Sequence, residues 1–239
     1  MSTTGRSRTV QVFHERAGEY DSWFENNPVF ASELAALQAL KTALPDPRLE
    51  IGVGPGRFAA ALGVRYGVDP ALAPLQLAHE RGILPCRGVG EALPIRPGCL
   101  GTIFLLFTLC FVEEPVAVLA ECRQALRPGG MLVVGTVPLD SPWGQNLNAK
   151  RLAGHPFYQN ARLVELATTM AWLATAGFIL TESRSALLQP PDELGEPGPG
   201  VAGIMTNAGF VVLVAAAPRL LVNYGCTGIT TMSPVAGLK

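Results

Sequence analysis

Glu50-Ile-Gly52-Val-Gly54-Pro-Gly56-Arg57 is the stretch on which the reading of this chain turns. Leu49 precedes it and Phe58-Ala-Ala-Ala-Leu62 follows, so a short apolar strand runs into glycines and then into a short helix. Glycines at the end of a first strand allow a tight turn and let the backbone lie against a ligand. The dinucleotide pattern G-x-G-x-x-G needs its third glycine where this chain has Arg57, and no Gly-Lys-Ser/Thr follows to make a P-loop. Taken alone, such a turn is also compatible with an ordinary strand-to-helix connection.

Working outward, the pattern alternates. Val64-Arg-Tyr-Gly-Val68 predicts a second strand ending at Asp69-Pro70, followed by a helix through Leu72, Leu75, Leu77 and Ala78 and a third strand near Ile83 to Cys86. Thr102 to Phe107 predicts a fourth strand, buried on both faces, within the apolar run Leu100 to Val112. Glu114 to Arg127 reads as a helix with Val116, Leu119 and Leu126 on its buried stripe, stopped by Pro128-Gly129-Gly130, and Met131 to Val137 as the fifth strand. This alternation predicts crossover units and a mostly parallel sheet. Leu34, Leu37, Leu40 and Leu44 predict a leading helical segment ended by Pro45-Asp-Pro47. Pro138 to Asn160 breaks the rhythm and reads as a long connection carrying Trp143, His155, Phe157 and Tyr158. A helix with Leu163, Leu166, Met170 and Leu173 on one face follows. Phe178–Leu187 and Phe210–Ala216 are expected as closing strands, with a mobile Pro/Gly-rich loop over Gln189–Gly203 between them.

Charge sharpens the glycine turn. Glu50 sits just before the glycines and Asp69 ends the next strand. A carboxylate beside the turn repels a pyrophosphate but suits a cationic amine, and one at the second strand's tip is placed to accept ribose hydroxyls. S-adenosylmethionine has an ammonium, a sulfonium, a ribose and no phosphate. The chain here resembles the class I S-adenosylmethionine-dependent methyltransferases, in the branch labelled methyltransferase type 11. Glu50–Gly56 resembles their first motif and Tyr66-Gly-Val-Asp69-Pro70 the second. Gly90-Glu-Ala-Leu-Pro94 resembles the stretch beside the adenine, and Leu126-Arg-Pro-Gly-Gly-Met-Leu132 the entry to the fifth strand. Two positions depart from the pattern: Val89 stands where an acid often holds the adenine amino group, and Gly101 where an acid precedes the fourth strand.

The resemblance implies a three-layer α/β Rossmann-like fold with a mostly parallel seven-stranded sheet in the order 3-2-1-4-5-7-6. Residues 1–46 would form an N-terminal helical cap and 47–217 the cofactor-binding domain, with a lid insertion at about 138–160 and a tail of unassigned role at 218–239. The cofactor, leaving as S-adenosylhomocysteine, would be held by Glu50, Gly52, Gly54, Gly56, Asp69 and Pro70, with Gly90 and Glu91 near the adenine and Thr108 where the methyl group emerges. In Glu19-Tyr20-Asp21-Ser-Trp23-Phe24, followed by Glu33 on a helix, the resemblance implies that Tyr20 closes over the cofactor and Trp23 over the acceptor, while a helix packing its aromatics on the sheet is the equal alternative.

Methyl transfer is an in-line displacement, so alignment and exclusion of water are the main tasks, and a base helps only if the acceptor must lose a proton. Trp23, Cys110, Trp143 and Tyr158 are candidate walls of an acceptor pocket, and His155 is the candidate base because its ordinary pKa lies near neutrality. Cys110 also suits an inert buried thiol, and His155, His79 and His14 also suit ordinary surface side chains.

Composition narrows the field. With 239 residues, 49% hydrophobic and 15% charged, the chain has material for a packed core. A formal charge of −1 offers no basic surplus for nucleic acid. Five scattered cysteines without a C-x-x-C pair suggest reduced thiols in a cytoplasm and no metal site, and the apolar run falls short of the roughly 18 residues that span a bilayer. The expected function is therefore a cytoplasmic methyltransferase acting on a small-molecule substrate without nucleic acid or membrane partners. The alternatives are a non-catalytic protein binding the same cofactor, or a nicotinamide-dependent oxidoreductase.

Overall fold

The computed structural model describes residues 5–218, so most of the expected tail, from residue 219 on, lies outside the described residues. Its centre is an eight-stranded sheet in the order β3-β2-β1-β4-β5-β8-β6-β7. The strands are β1 (Arg48–Ile51), β2 (Tyr66–Asp69), β3 (Leu84–Arg87), β4 (Leu100–Leu106), β5 (Leu126–Thr136), β6 (Ile179–Ala186), β7 (Val201–Ala202) and β8 (Phe210–Ala216). β1 to β5 are parallel, while β8 runs antiparallel between β5 and β6. The order implied by the sequence holds, and the two-residue β7, inside the stretch expected as a loop, adds an edge strand.

The helices are α1 (Gly5–Glu15), α2 (Ala17–Ser22), α3 (Pro28–Gln38), α4 (Arg57–Ala61), α5 (Leu72–Glu80), α6 (Pro115–Ala125), α7 (Pro142–Leu152) and α8 (Leu166–Thr175). All seven residues of β4 are buried, because a central parallel strand is covered on both faces. Its side chains alternate between two cores. Ile103 and Leu105 pack with Leu132, Leu213 and residues of α6 and α8, while Phe104 and Leu106 pack with Val133, Phe210 and residues of α3, α4 and α5. No helix among the described residues is long and apolar enough to cross a membrane.

Four local expectations need correction. The helix expected to Arg127 ends at Ala125, because Leu126 turns to extended geometry and pairs with Leu100. Its buried stripe is Val118, Leu119, Cys122 and Ala125, leaving Val116 37% exposed. The leading leucine pattern outruns its helix: α3 stops at Gln38, and Leu40 and Leu44 pack from the connection that follows. Leu163 precedes α8, whose buried side chains are Thr169 and Leu173, while Met170 is 37% exposed. The long connection after β5 contains α7, announced by Ser141-Pro142: the Ser141 hydroxyl accepts from the Gly144 N–H at 3.0 Å, and proline at the first helical position needs no N–H partner.

In this sheet the chain reverses direction of growth between β1 and β4, which leaves a crevice outside their carboxyl ends. The glycine turn opens into it. So do the ends of β2 and β4.

Candidate active site

The crevice is built around two carboxyls. Asp69, ending β2, accepts from the Gly54 N–H at 3.0 Å and the Ala71 N–H at 2.8 Å, so it shapes the glycine turn from within. Burial, partly offset by these two bonds, lifts its pKa to about 6. Glu50, on β1, is 3% exposed and receives one bond from the Ala59 N–H, while its Oε2 has no partner among the described residues. Burial, and then the charge of Asp69, holds the Glu50 carboxyl well above its ordinary range. A buried carboxylate oxygen without a donor is costly unless a ligand completes it.

Gly52 has φ +73°, and a side chain there would collide with Thr108. The Thr108 hydroxyl donates to the Ile51 carbonyl at 2.9 Å, fastening the end of β4 beside the turn. Phe107, just before it, is a bulky residue at φ 58°, a conformation such residues adopt only where the surroundings enforce it. Those surroundings are its N–H bond to the Gly135 carbonyl (2.9 Å) and its stacking on Phe210 at 5.2 Å.

These groups line a cavity of about 130 Å3. On its wall lie Tyr20, Glu50, Gly52, Gly54, Asp69, Pro70, Gly90, Glu91 and Thr108, all singled out from the sequence. Gly56 is the exception. It begins α4 at φ +79° and packs against Ala78 and Ile83, so its lack of a side chain serves helix packing and not the cavity wall. Gly90 lies against Val118 and Ile51, and Val89 also borders the cavity, leaving apolar surface and backbone groups for a flat base. Glu91 accepts from the Glu113 N–H at 3.2 Å.

The N-terminal segment forms the roof. The Tyr20 ring comes within 3.6 Å of where a Gly54 side chain would begin, and burial drives its hydroxyl pKa strongly upward. Its position is fixed by Asp21, the next residue. One Asp21 oxygen accepts from Arg57 Nε at 2.7 Å; the other accepts from Arg57 Nη2 and from Arg81 Nη2, both at 2.8 Å. Partial burial opposes ionisation of Asp21, but the two arginines outweigh it and hold the carboxyl below its ordinary value. Arg81 also donates to the Pro55 carbonyl at 2.9 Å. His14 is exposed, as expected of a solvated side chain, and also accepts from the Ala73 N–H at 3.1 Å, which docks α1 on the start of α5. His79 is exposed.

Beyond the roof lies a second cavity of about 350 Å3. Trp23, Cys110, Trp143, His155 and Tyr158, the expected acceptor-side residues, all line it. Phe13, Tyr20, Phe24, Phe107 and Phe111 border both cavities, so the two spaces meet across an aromatic partition. Phe157, 2% exposed, packs against Phe13, Tyr20 and Trp23 at 5.2, 5.7 and 4.8 Å. Trp143 donates from Nε1 to the Gln189 carbonyl at 2.7 Å and covers Gly209. Burial pushes the Cys110 thiol up to about 12, so it is an unreactive wall group. His155 borders only this second cavity. Its imidazole is held below its ordinary pKa by desolvation and then by Lys150 and Arg16, and its Nδ1 has no partner among the described residues. Glu33, on α3, is 8% exposed and also lines this space.

Comparison with known proteins agrees with this geometry. The family model described as "Methyltransferase domain" matches residues 49–134, which run from β1 through the centre of β5. The chain is 41% identical over 204 residues to an uncharacterised protein of Mycobacterium tuberculosis, covering 83% of this chain and 71% of that protein. It is 30% identical over 139 residues to a malonyl-[acyl-carrier protein] O-methyltransferase of Xylella fastidiosa, covering 52% of this chain and 46% of that one. The solved structure of a SAM-dependent methyltransferase of Thermotoga maritima, described as a possible histamine N-methyltransferase, superposes with a TM-score of 0.81 at 32% identity, covering 87% of this chain and 99% of that one. An unpartnered Glu50 oxygen, the Asp69 carboxyl on the cavity wall and a cradle without side chains at Gly52 fit S-adenosylmethionine. With that cofactor fitting the crevice and these relatives beside it, the chain belongs to the class I S-adenosylmethionine-dependent methyltransferases, in the type 11 branch.

Proposed function

We propose that this enzyme moves the methyl group to a small molecule held in the second cavity, by in-line displacement across the aromatic partition. The observation that supports this reading most directly is the pair of adjoining cavities with five shared aromatic residues. The cofactor supplies a methyl group already activated on a sulfonium. The chain's own residues do the rest. Glu50 receives the ammonium, the free lone pairs of Asp69 receive the ribose hydroxyls, and backbone around Gly90 with Val89 receives the adenine. Tyr20 roofs the glycine turn and keeps water out, which strengthens every charge interaction beneath it. Thr108 and Phe107 hold the end of β4 where methyl donor and acceptor meet. We assign His155, with Trp23, Trp143, Cys110 and Tyr158, to the acceptor's walls, because His155 borders only the acceptor side.

The malonyl carrier-protein ester and the histamine named for the two relatives are chemically unlike, so the walls of this cavity, not the family, must select the acceptor. The test is calorimetry with S-adenosylhomocysteine and with NADH, followed by an acceptor screen that follows release of S-adenosylhomocysteine. Binding of S-adenosylhomocysteine alone, and its release with at least one small acceptor, is the expected result. Tight NADH binding would overturn the cofactor assignment. Binding without turnover across a broad screen would favour a ligand-binding role.

A further inference from the structure

Glu33 is the feature of the second cavity that methyl transfer to an arbitrary acceptor does not require. It is 8% exposed, it faces a space of about 350 Å3, and it makes no hydrogen bond or ion pair with another described residue. It projects from α3 beside Phe30 and Val29, with Tyr20, Trp23 and Tyr158 on the same cavity wall. Lys150 and His155 also line this space, yet no positive charge offsets the burial of Glu33, which lifts its pKa to about 8. The Tyr20 hydroxyl feels Glu33, Tyr158 and Cys110 on this side and Asp69 on the cofactor side, which places the Glu33 carboxyl within electrostatic reach of the junction between the cavities. A lone carboxyl in a box of aromatic faces is the chemistry that receives an organic cation: the carboxylate pairs with its charge and the rings attract it through their negative faces.

Resting on the methyl-transfer reading above, we propose that the acceptor is a basic amine with an apolar body, docked as its ammonium ion on Glu33 and methylated on nitrogen. Glu33 then takes one proton from the ammonium. The nitrogen lone pair so released forms the new N–C bond while the methyl–sulfur bond breaks and its electron pair stays on sulfur. The product leaves as a methylated ammonium ion, and Glu33 returns its proton to solvent.

The test uses the full chain saturated with S-adenosylhomocysteine. Calorimetry at pH 7.5 compares 2-phenylethylamine with 2-phenylethanol and 3-phenylpropanoate, in phosphate and in Tris so that proton release is read as well. The amine is expected to bind at least tenfold more tightly than either analogue and to release a proton, because Glu33 ionises on pairing. Glu33→Gln should abolish both the preference and the proton release while leaving affinity for S-adenosylhomocysteine within twofold. The inference is overturned if the wild-type chain binds the alcohol or the acid as well as the amine, binds no amine, or keeps its preference in Glu33→Gln. Should that variant not fold, wild-type selectivity and Glu33→Asp, expected to retain the preference for amine, decide. Loss of S-adenosylhomocysteine binding by the wild-type chain would instead strike the methyl-transfer reading.

Discussion

Asp69 shapes the glycine turn through the Gly54 and Ala71 N–H groups, and the proposed function gives it a second duty toward the cofactor's ribose. Its folded pKa of about 6 lies above its ordinary value, so the sign of its linkage is unfavourable to the free fold. The penalty is absent below the ordinary value, grows as pH rises toward 6, and is relieved when ribose hydroxyls donate to the ionised carboxylate. Affinity for S-adenosylhomocysteine is therefore expected to rise several-fold between pH 5 and 7.5, with a midpoint near 6, and calorimetry across that range checks it. Asp69→Ala should remove most of the thermal shift that S-adenosylhomocysteine gives the wild-type chain, about 2.7 kcal/mol of stabilisation at a hundredfold excess over Kd. An undiminished shift would refute the ribose assignment. Both carboxyls of the crevice were legible in the sequence because each flanks a strand end with its own local signal. The role of Glu33 was not, because a single acid among Ser32, Leu34 and Ala35 looks like the edge of an amphipathic stripe, and the cavity it lines joins nearby Tyr20, Trp23 and Phe30 to Trp143 and Tyr158, more than a hundred residues away.

Among elements, α2 is the one whose position depends on distant charge. Asp21 reaches Arg57 and Arg81, 36 and 60 residues on, and no local pattern announces such a pair. The side chains of Asp21, Arg57 and Arg81 are only 13, 21 and 24% exposed, so this pairing is worth more than a surface bridge. Asp21→Ala is expected to cost about 2 kcal/mol in urea unfolding and to weaken S-adenosylhomocysteine binding roughly tenfold, since Tyr20 loses its anchor. Because the carboxyl sits below its ordinary pKa, the stabilisation is present above that ordinary value and fades as pH falls through the lowered one, so wild type and variant should converge in acid. α7 is the contrasting case. Trp143→Ala removes its bond to the Gln189 carbonyl and its cover over Gly209, and should raise the acceptor KM several-fold while leaving cofactor affinity unchanged. Steady-state kinetics read the two effects apart. Ser141-Pro142 marked the start of α7 in the sequence, but the Gly, Asn and aromatic residues after it masked a helix whose apolar side faces a cavity and not a core.

For the molecule as a whole, the sheet was readable because strands alternating with helices leave few topologies, and the Gly-rich turn identifies which strand is first. What the sequence did not show is how the parts before β1 and after β5 converge, since that depends on aromatic packing between α1, α2 and the stretch after α7. Hydrogen exchange should report the convergence. Adding S-adenosylhomocysteine is expected to slow exchange in α1 and α2 and to leave β4, buried throughout, and β8, buried from Phe210 to Ala215, unchanged. The aromatic partition has a kinetic corollary. Its Tyr20 and Phe24 sit beside the residue clamped by Arg57 and Arg81, so filling the nucleoside side first firms the surface on which the second reactant must settle. The enzyme should follow a compulsory order with the methyl donor as leading substrate. In initial-rate plots S-adenosylhomocysteine would then compete with the donor and act as a mixed inhibitor toward the acceptor.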